Sequence, residues 1–226
     1  MAQDIVRRFF TGTAPTYDLI VNLFTYGADR YWKKIMLSKT PAAKKILDLA
    51  CGTGIFTFKL AVKFPASKIV GVDMMEEYIA IAQNKLKNQK RRNVHLICAR
   101  AEQVRLREIF DCITSSYIPK YVSADKLLGN ITPYLSKGGK LILHDFAYPT
   151  NVLFQSIWKL HMRLMKMIGA PIFPEWKTIF YELAALVQNT TWISEYTAAL
   201  PRYGFKNIAV HRFTAGSAAI VSAEKG

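Results

Sequence analysis

The stretch that decides the fold is Lys44-Lys-Ile-Leu-Asp-Leu-Ala-Cys-Gly-Thr-Gly54. Ile46 to Leu49 is an apolar run that predicts a strand, and Gly52 and Gly54 predict a tight turn directly after it. Apolar residues then recur at helical spacing at Phe56, Leu60, Ala61 and Phe64. Glycine permits backbone conformations and close ligand approach that a side chain would prevent. A strand, a glycine turn and a helix in this order are typical of a site for a nucleotide-like ligand.

The next predicted strand, Ser67 to Asp73, ends in an acid 19 residues after Gly54. A carboxylate at this position of a doubly wound sheet accepts hydrogen bonds from ribose hydroxyls. The spacing fits NAD enzymes and adenosylmethionine enzymes alike. The turn lacks the third glycine of G-x-G-x-x-G, which favours adenosylmethionine. Asp48, six residues before Gly54, is expected to face the methionine end of that ligand.

Length and charge limit the classes of protein. A chain of 226 residues suits one domain, residues 1–226. Its net charge of +15 indicates an anionic partner, either nucleic acid or a membrane surface. The alternative is that the charge only keeps the protein in solution. The three cysteines form no metal-binding pattern and favour free thiols in a reducing compartment, so no metal is expected. No apolar run reaches the roughly 20 residues of a membrane span, and the N-terminus does not resemble a signal peptide.

Apolar strands alternate with helices through the middle of the chain, which predicts an α/β fold with a parallel, Rossmann-like sheet covered on both faces. Further strands are expected at Asn93–Cys98, Phe110–Ser116, Leu141–Asp145, Lys206–Phe213 and Ala218–Ala223, and helices at Met75–Lys87 and Ala124–Leu135, the latter ending in a turn at Lys137–Gly139. Ligands bind at the carboxyl ends of such strands. The residues expected at that edge are Ser116, Tyr117, Lys120, His144 and Asp145.

Two helical segments flank the predicted sheet. Residues 1–40 are expected to form a helical lid over the strand ends, with Tyr17 facing the ligand. Residues 150–190 are expected to form a helical insertion. Within it, Val152–Ile168 contains no acid, and Lys159, Arg163 and Lys166 share one helical face. Such a helix suits the headgroup region of an anionic membrane, although a buried helix with snorkelling cations has the same pattern.

Together these motifs make the chain resemble, nearly end to end, the ubiquinone/menaquinone biosynthesis C-methyltransferase (UbiE-like) family of class I adenosylmethionine-dependent methyltransferases. The matching segments are Ala14–Asn22 with Gly27–Trp32 (the family's A-x-x-Y-D-x-x-N and G-x-x-x-x-W), Leu47–Gly54, Phe110–Thr114, Leu135–Gly139 and Phe213–Gly216. The resemblance implies a seven-stranded sheet and adenosylmethionine as cofactor. It also implies that Thr53, Asp73, Arg100, Ala101 and Ser116 contact the cofactor.

The full predicted cofactor site has eleven residues. They are Tyr17, Asp48, Ala50, Gly52, Thr53, Gly54, Asp73, Met74, Arg100, Ala101 and Ser116.

The chain departs from the family mainly on the acceptor side. The family's F-G-L-R-N loop after the fourth strand is Tyr117-Ile-Pro-Lys-Tyr121 here, and its E-F-S-x-P is Asp145-Phe-Ala-Tyr-Pro149. Arg100, a bulky cation, replaces a small polar residue beside Ala101. The cofactor motifs are therefore mostly kept, while the acceptor motifs are rewritten.

Methyl transfer from a sulfonium is an in-line displacement that depends mainly on positioning. C-methylation of a quinol also needs an electron-rich ring and a base. The predicted catalytic residues are Tyr117, Lys120, Tyr121 and Asp145, with Asp145 facing the ligand and His144 in the core, because neighbouring strand residues point to opposite faces.

The sequence thus predicts C-methylation of a lipid-soluble, quinone-type acceptor. It predicts a cytoplasmic protein in peripheral contact with the inner face of an anionic membrane, with no nucleic acid bound. Three alternatives remain open. One is transfer of the amino group of adenosylmethionine to ubiquinone, giving rhodoquinone; the second is phospholipid N-methylation. The third is a non-catalytic protein that binds adenosylmethionine or nucleic acid.

Overall fold

The protein is described by a computed structural model that covers residues 2–226, with side chains from Ile5 onward. Met1, the first residue of the predicted lid, lies outside the described residues. One mixed sheet contains seven strands in the order 3-2-1-4-5-7-6. The strands are β1 (Lys45–Leu49), β2 (Lys68–Asp73), β3 (Val94–Cys98), β4 (Phe110–Ser116), β5 (Leu135–Phe146), β6 (Phe205–Phe213) and β7 (Ala218–Lys225). Strands β1 to β5 are parallel, whereas β7 runs antiparallel to both β5 and β6.

Helices connect the strands and add two segments outside the sheet. They are α1 (Ala2–Phe10), α2 (Tyr17–Phe24), α3 (Ala28–Lys39), α4 (Ile55–Lys63), α5 (Glu76–Gln89), α6 (Ala124–Ile131), α7 (Val152–Leu164), α8 (Ala170–Ile172), α9 (Lys177–Asn189) and α10 (Trp192–Ala199). A π-helical turn, Met165–Gly169, joins α7 to α8. No helix among residues 2–226 combines the length and apolarity that crossing a bilayer requires.

The sheet is buried on both faces because β1 alternates its side chains between two apolar clusters. Leu47 and Leu49 pack on the side of α6 and α10. Ile46 packs on the opposite side, with Trp32 of α3 and Phe56 of α4. A third cluster contains Phe9, Ile20, Tyr121, Ala170, Trp176, Ile179 and Phe180. This third cluster joins the N-terminal helices to the segment from α8 to α9, so that the two added segments pack on each other.

The connection from α6 to β5 differs from the sequence prediction. The helix ends at Ile131 instead of Leu135, and Thr132–Tyr134 forms a short 3₁₀ turn that contains Pro133. Proline has no N–H to continue the helical hydrogen bonds. Leu135 already pairs with Phe110, and pairing resumes where Lys140 lies beside Cys112. Residues 136–139, which include the predicted helix-ending turn Lys137–Gly139, are therefore a bulge inside the strand.

Candidate active site

The glycine turn after β1 brings the ends of the first two strands around one carboxylate. Ala50, Gly52 and Gly54 have φ values of 53°, 55° and 87°, and a Cβ at Gly54 would lie 2.4 Å from the Phe58 ring. The Gly52 N–H donates to Asp73 Oδ2 at 2.9 Å, and the Met75 N–H donates to Asp73 Oδ1 at 2.9 Å. The Asp73 carboxylate is therefore fixed at the end of β2, and its burial raises its pKa.

A cavity of about 220 Å³ opens at this point, and eight of the eleven predicted cofactor-binding residues line it. They are Tyr17, Ala50, Gly52, Asp73, Met74, Arg100, Ala101 and Ser116. We call it the cofactor cavity.

Three features of this cavity fit an adenosyl group. A side chain at Gly52 would project between the rings of Tyr78 and Tyr17, so the bare backbone keeps the space open. Nη1 of Arg100 is buried without a hydrogen-bond partner among the described residues, which leaves a donor available to a ligand. Asp73 supplies the acceptor that ribose hydroxyls require.

The other three predicted cofactor residues lie beneath or beside the cavity. The Asp48 carboxylate accepts hydrogen bonds from the hydroxyls of Thr57 at 2.6 Å and Thr114 at 2.8 Å. These bonds hold the Asp48 carboxylate on the α4 side of the sheet, and burial raises its pKa to about 6. Gly54 begins α4, and the Thr53 hydroxyl donates to Asp18 of α2.

The N-terminal segment covers the cofactor cavity and makes polar contacts with α5 and the glycine turn. Asp18 accepts hydrogen bonds from both Thr53 and Lys85. The Gly12 N–H donates to Glu77 at 2.9 Å, and the hydroxyls of Thr13 and Tyr78 are 2.6 Å apart. These contacts therefore hold the N-terminal segment, which the sequence predicts to be a lid, against the part of the fold that contains the cofactor cavity.

A second cavity, of about 320 Å³, lies between the N-terminal helices and the segment from α7 to α9. Its walls are mainly aromatic and aliphatic, and we call it the acceptor cavity. Four residues line both cavities: Phe10, Tyr17, Tyr117 and Tyr121. These four side chains form a shared aromatic wall where the two cavities border each other.

Tyr117 is the most constrained residue of the shared wall. Its φ of 74° lies in the left-handed region, which is unfavourable for a bulky residue and is typical of functional sites. Its hydroxyl donates to Asp29 Oδ1 at 2.6 Å, and Lys33 pairs with the same carboxylate. The ammonium groups of Lys33 and Lys120 lie 4.9 and 5.1 Å from the Tyr117 ring centroid. Burial raises the pKa of Tyr117 well above its usual value and keeps it protonated.

Lys120 and Asp145 form a buried ion pair behind this wall. Lys120 Nζ lies 2.7 Å from Asp145 Oδ1, while the backbone N–H groups of Lys120 and Phe146 also donate to the carboxylate, at 2.9 and 2.7 Å. Burial lowers the pKa of Lys120 and raises that of Asp145, and each charge opposes the effect on the other. Lys120 lines the acceptor cavity. Asp145, expected to face the ligand, lies behind Lys120 and lines neither cavity, because these three donors hold its carboxylate inside the protein.

The sequence did not predict a role in the site for several other residues. Asp29 and Lys33 are both buried, and only their spacing of four residues on one helix signalled a pair. Thr214 and Ala215 belong to the family-like Phe213–Gly216 motif and line the acceptor cavity, with φ values of 49° and 55°. His144 is buried, as expected of a core histidine, with Nδ1 at 2.9 Å from the Ser116 hydroxyl.

Comparison with known protein families shows which family has this sequence pattern. Residues 1–225 match the model of the "ubiE/COQ5 methyltransferase family". The chain is 30% identical to a ubiquinone/menaquinone biosynthesis C-methyltransferase UbiE of Blochmanniella floridana, over 98% of this chain and 89% of the relative. It is 26% identical to a demethylmenaquinone methyltransferase of Staphylococcus carnosus, over 95% of this chain and 90% of the relative.

Solved structures share the fold. N-methyltransferase NodS from Bradyrhizobium japonicum, in complex with S-adenosyl-L-homocysteine, superposes with a TM-score of 0.61 at 16% identity, over 99% of this chain and 98% of that one. The plantazolicin methyltransferase BpumL, also with this product, gives 0.62 at 17% identity, over 100% and 97%. With the family match over nearly its whole length, the chain belongs to the ubiE/COQ5 methyltransferase family and is an adenosylmethionine-dependent enzyme with the class I methyltransferase fold.

Proposed function

We propose that the enzyme methylates a ring carbon of a quinone-type acceptor that carries an apolar tail. The observation that carries this proposal is the shared aromatic wall, where a cofactor cavity that contains Asp73 and Arg100 borders a larger, mainly apolar cavity. The names of the relatives support the same acceptor class, since they refer to ubiquinone, menaquinone and demethylmenaquinone.

The lining of the two cavities divides the roles. The cofactor cavity binds adenosylmethionine, which supplies a methyl group on a sulfonium. The acceptor ring lies against Tyr117 and Tyr121, and its tail extends along the apolar side chains of α2, α7 and α9. A pocket lined in this way excludes water from the reacting atoms and orients them for in-line displacement.

Lys120 and Asp145 supply the charge that a quinol ring needs. The acceptor hydroxyl gives its proton to Lys120 as Lys120 gives one to Asp145, whose raised pKa suits it to hold a proton. The ionised oxygen then faces the Lys120 ammonium in a water-poor cavity, where a fixed cation stabilises it strongly. After the transfer, the ring carbon gives its own proton to a water molecule, while Asp145 returns the hydroxyl proton through Lys120 to the ring oxygen, which restores the quinol and the ion pair.

A second candidate reaction is transfer of the cofactor's amino group to the quinone ring. The observation that favours it is that Tyr117, Lys120 and Tyr121, which all depart from the family's acceptor loop, line the acceptor cavity. Changes in this loop alter how the acceptor is placed against the cofactor, and therefore which atom of the cofactor the acceptor meets.

The proposal also includes the location of the enzyme. A tailed quinone dissolves in lipid, so the protein is proposed to act in the cytoplasm at the inner face of an anionic membrane, as a peripheral protein. The net charge of +15 and the absence of acids between Asp145 and Glu175 support such contact.

The test is product analysis by mass spectrometry with two batches of adenosylmethionine, labelled in the methyl carbon or in the amino nitrogen. The acceptor is a detergent-solubilised demethylmenaquinol, with membrane lipid extract in parallel. We expect methyl label in the quinone and at least a hundredfold loss of rate in Lys120→Met, compared with no loss in Lys137→Met, an exposed lysine in the β5 bulge. Nitrogen label in the quinone would establish the second candidate. Methyl label only in phosphatidylethanolamine, or no label, would overturn the proposal.

A further inference from the structure

An unusually large apolar surface covers the outside of the acceptor cavity. Six aliphatic side chains between α7 and α8 are 55 to 71% exposed. They are Leu153, Ile157, Leu160, Met167, Ile168 and Ile172. Leu19 and Leu23 are spaced by four residues on α2 and share one face, Tyr26 lies in the turn after that helix, and all three are exposed. An exposed apolar surface of this extent is typical of an interaction site. We call these nine residues the docking surface.

The charge around the docking surface selects its partner. Residues 146–174 contain no aspartate or glutamate, and Lys159, Arg163 and Lys166 are exposed on α7 and the π-helical turn that follows it. An apolar face bordered by cations suits the headgroup region of an anionic bilayer. Two copies of the chain would bring like charges together at this surface, which disfavours self-association there.

The docking surface is continuous with the acceptor cavity. Ile157 belongs to both, and Phe154, exposed on the same helix, also lines the cavity. Tyr26, in the turn after α2, reaches α7, where its hydroxyl lies 3.2 Å from His161 Nδ1. Both residues line the cavity, and Tyr26 is exposed on its outer side.

We propose that the docking surface inserts into the headgroup region of an anionic bilayer and that a tailed acceptor enters the cavity directly from lipid, past Tyr26 and His161. The docking specifies the surface for the membrane contact that the proposed function includes, and the entry route rests on the acceptor class proposed there. Insertion buries the exposed aliphatic side chains in lipid while the three cations meet lipid phosphates. The mouth of the cavity then faces hydrocarbon, so the acceptor does not cross water.

Vesicle flotation tests the docking. The vesicles contain either equal parts of phosphatidylglycerol and phosphatidylcholine or phosphatidylcholine alone. We expect binding to the anionic vesicles only, weakened by salt. The double variant Leu160→Glu/Ile168→Glu should bind at least about tenfold more weakly, and each of Lys159→Gln and Lys166→Gln about fivefold more weakly. The matched control is Val62→Glu/Ile109→Glu, which changes two equally exposed aliphatic residues on α4 and before β4.

Two further measurements separate docking from catalysis and from folding. Circular dichroism should show the same fold in all variants, since Leu160 and Ile168 line neither cavity. The double variant should lose methyl transfer to an acceptor embedded in vesicles but keep it toward the detergent-solubilised acceptor. Vesicle binding without methyl transfer to any quinol would reject the proposed function and leave the docking intact. Equal flotation of the double variant and its control, or loss of a dimer instead of vesicle binding, would overturn the docking proposal.

Discussion

Lys120 and Asp145 are each 2% exposed or less, and neither can lose its partner without leaving a buried charge. We expect Lys120→Met or Asp145→Asn to lower the free energy of unfolding by about 3–5 kcal/mol. The double variant Lys120→Met/Asp145→Asn should lose clearly less than the sum of the two, because it leaves no buried charge and the amide oxygen still accepts from the backbone, yet should remain inactive. Urea unfolding measures the first effect and the methyl-transfer assay the second. Simple addition of the two losses would contradict the pairing.

Asp48 makes stability depend on pH. In an unfolded chain an aspartate has a pKa of about 4, whereas burial raises that of Asp48 to about 6. The folded state thus holds this proton more tightly, and ionisation opposes folding. As pH rises from about 4 to about 7, the wild type should lose about 3 kcal/mol of unfolding free energy relative to Asp48→Asn. Denaturant unfolding of both proteins across this range measures the difference, and a difference independent of pH would contradict the assignment.

The sequence located the cofactor site better than the acceptor chemistry, for a physical reason. Gly52 and Asp73 act through backbone conformation and strand position, which local patterns predict. The direction of a side chain depends on its partners. Asp145 was expected to face the ligand, yet the donors that hold its carboxylate include Lys120, from a loop 25 residues away.

At the scale of elements, the junction between β1 and α4 depends on Gly54. An alanine there would combine a φ of 87° with a Cβ 2.4 Å from Phe58, whereas at Gly138 in the β5 bulge the φ is 75° and no atom lies within 4 Å. We expect Gly54→Ala to cost about 2–4 kcal/mol of stability and Gly138→Ala only about 1–2. Thermal and urea unfolding of the two variants should therefore separate the close contact from the backbone strain. Equal losses would show that the contact relaxes freely.

The bulge in β5 shows where element prediction failed. The stretch Lys137-Gly138-Gly139 has the composition of a helix-ending turn, and Leu135 fits the apolar spacing of the helix before it. The pairing of Leu135 with Phe110 outweighs this local preference. Such pairing joins residues 25 positions apart, and no window of local sequence contains both partners.

At the scale of the whole molecule, cofactor binding should stabilise the entire fold, because the cofactor cavity joins the lid to the ends of four strands. Adenosylhomocysteine at about one hundred times its Kd should add about 2.7 kcal/mol and raise Tm by about 5–10 °C. Gly52→Val should abolish this shift by filling the cavity. Gly204→Val, which also places a side chain at a positive φ but in open space, should lower Tm but keep the shift. Differential scanning fluorimetry measures both, and a retained shift in Gly52→Val would contradict the location of the site.

The sheet as a whole followed from alternating strands and helices, because a right-handed connection between parallel strands leaves few topologies. The acceptor cavity did not follow from this pattern, because its walls come from α2, from α7 to α9 and from the Thr214–Gly216 turn. These segments are far apart in the chain, and apolar helices give the same pattern whether they fill a core or line a cavity.

The separation of the two cavities also bears on how such an enzyme changes over evolutionary time. The parts that hold the cofactor lie mostly between residues 50 and 126, whereas most of the acceptor cavity comes from residues 10–32 and 146–217. Only Phe10, Tyr17, Tyr117 and Tyr121 belong to both. Mutations in the outer segments can therefore explore new acceptors while the machinery for the common donor stays intact. These four aromatic residues must fit both the cofactor and the acceptor, so a change of reaction is expected to begin with substitutions among them.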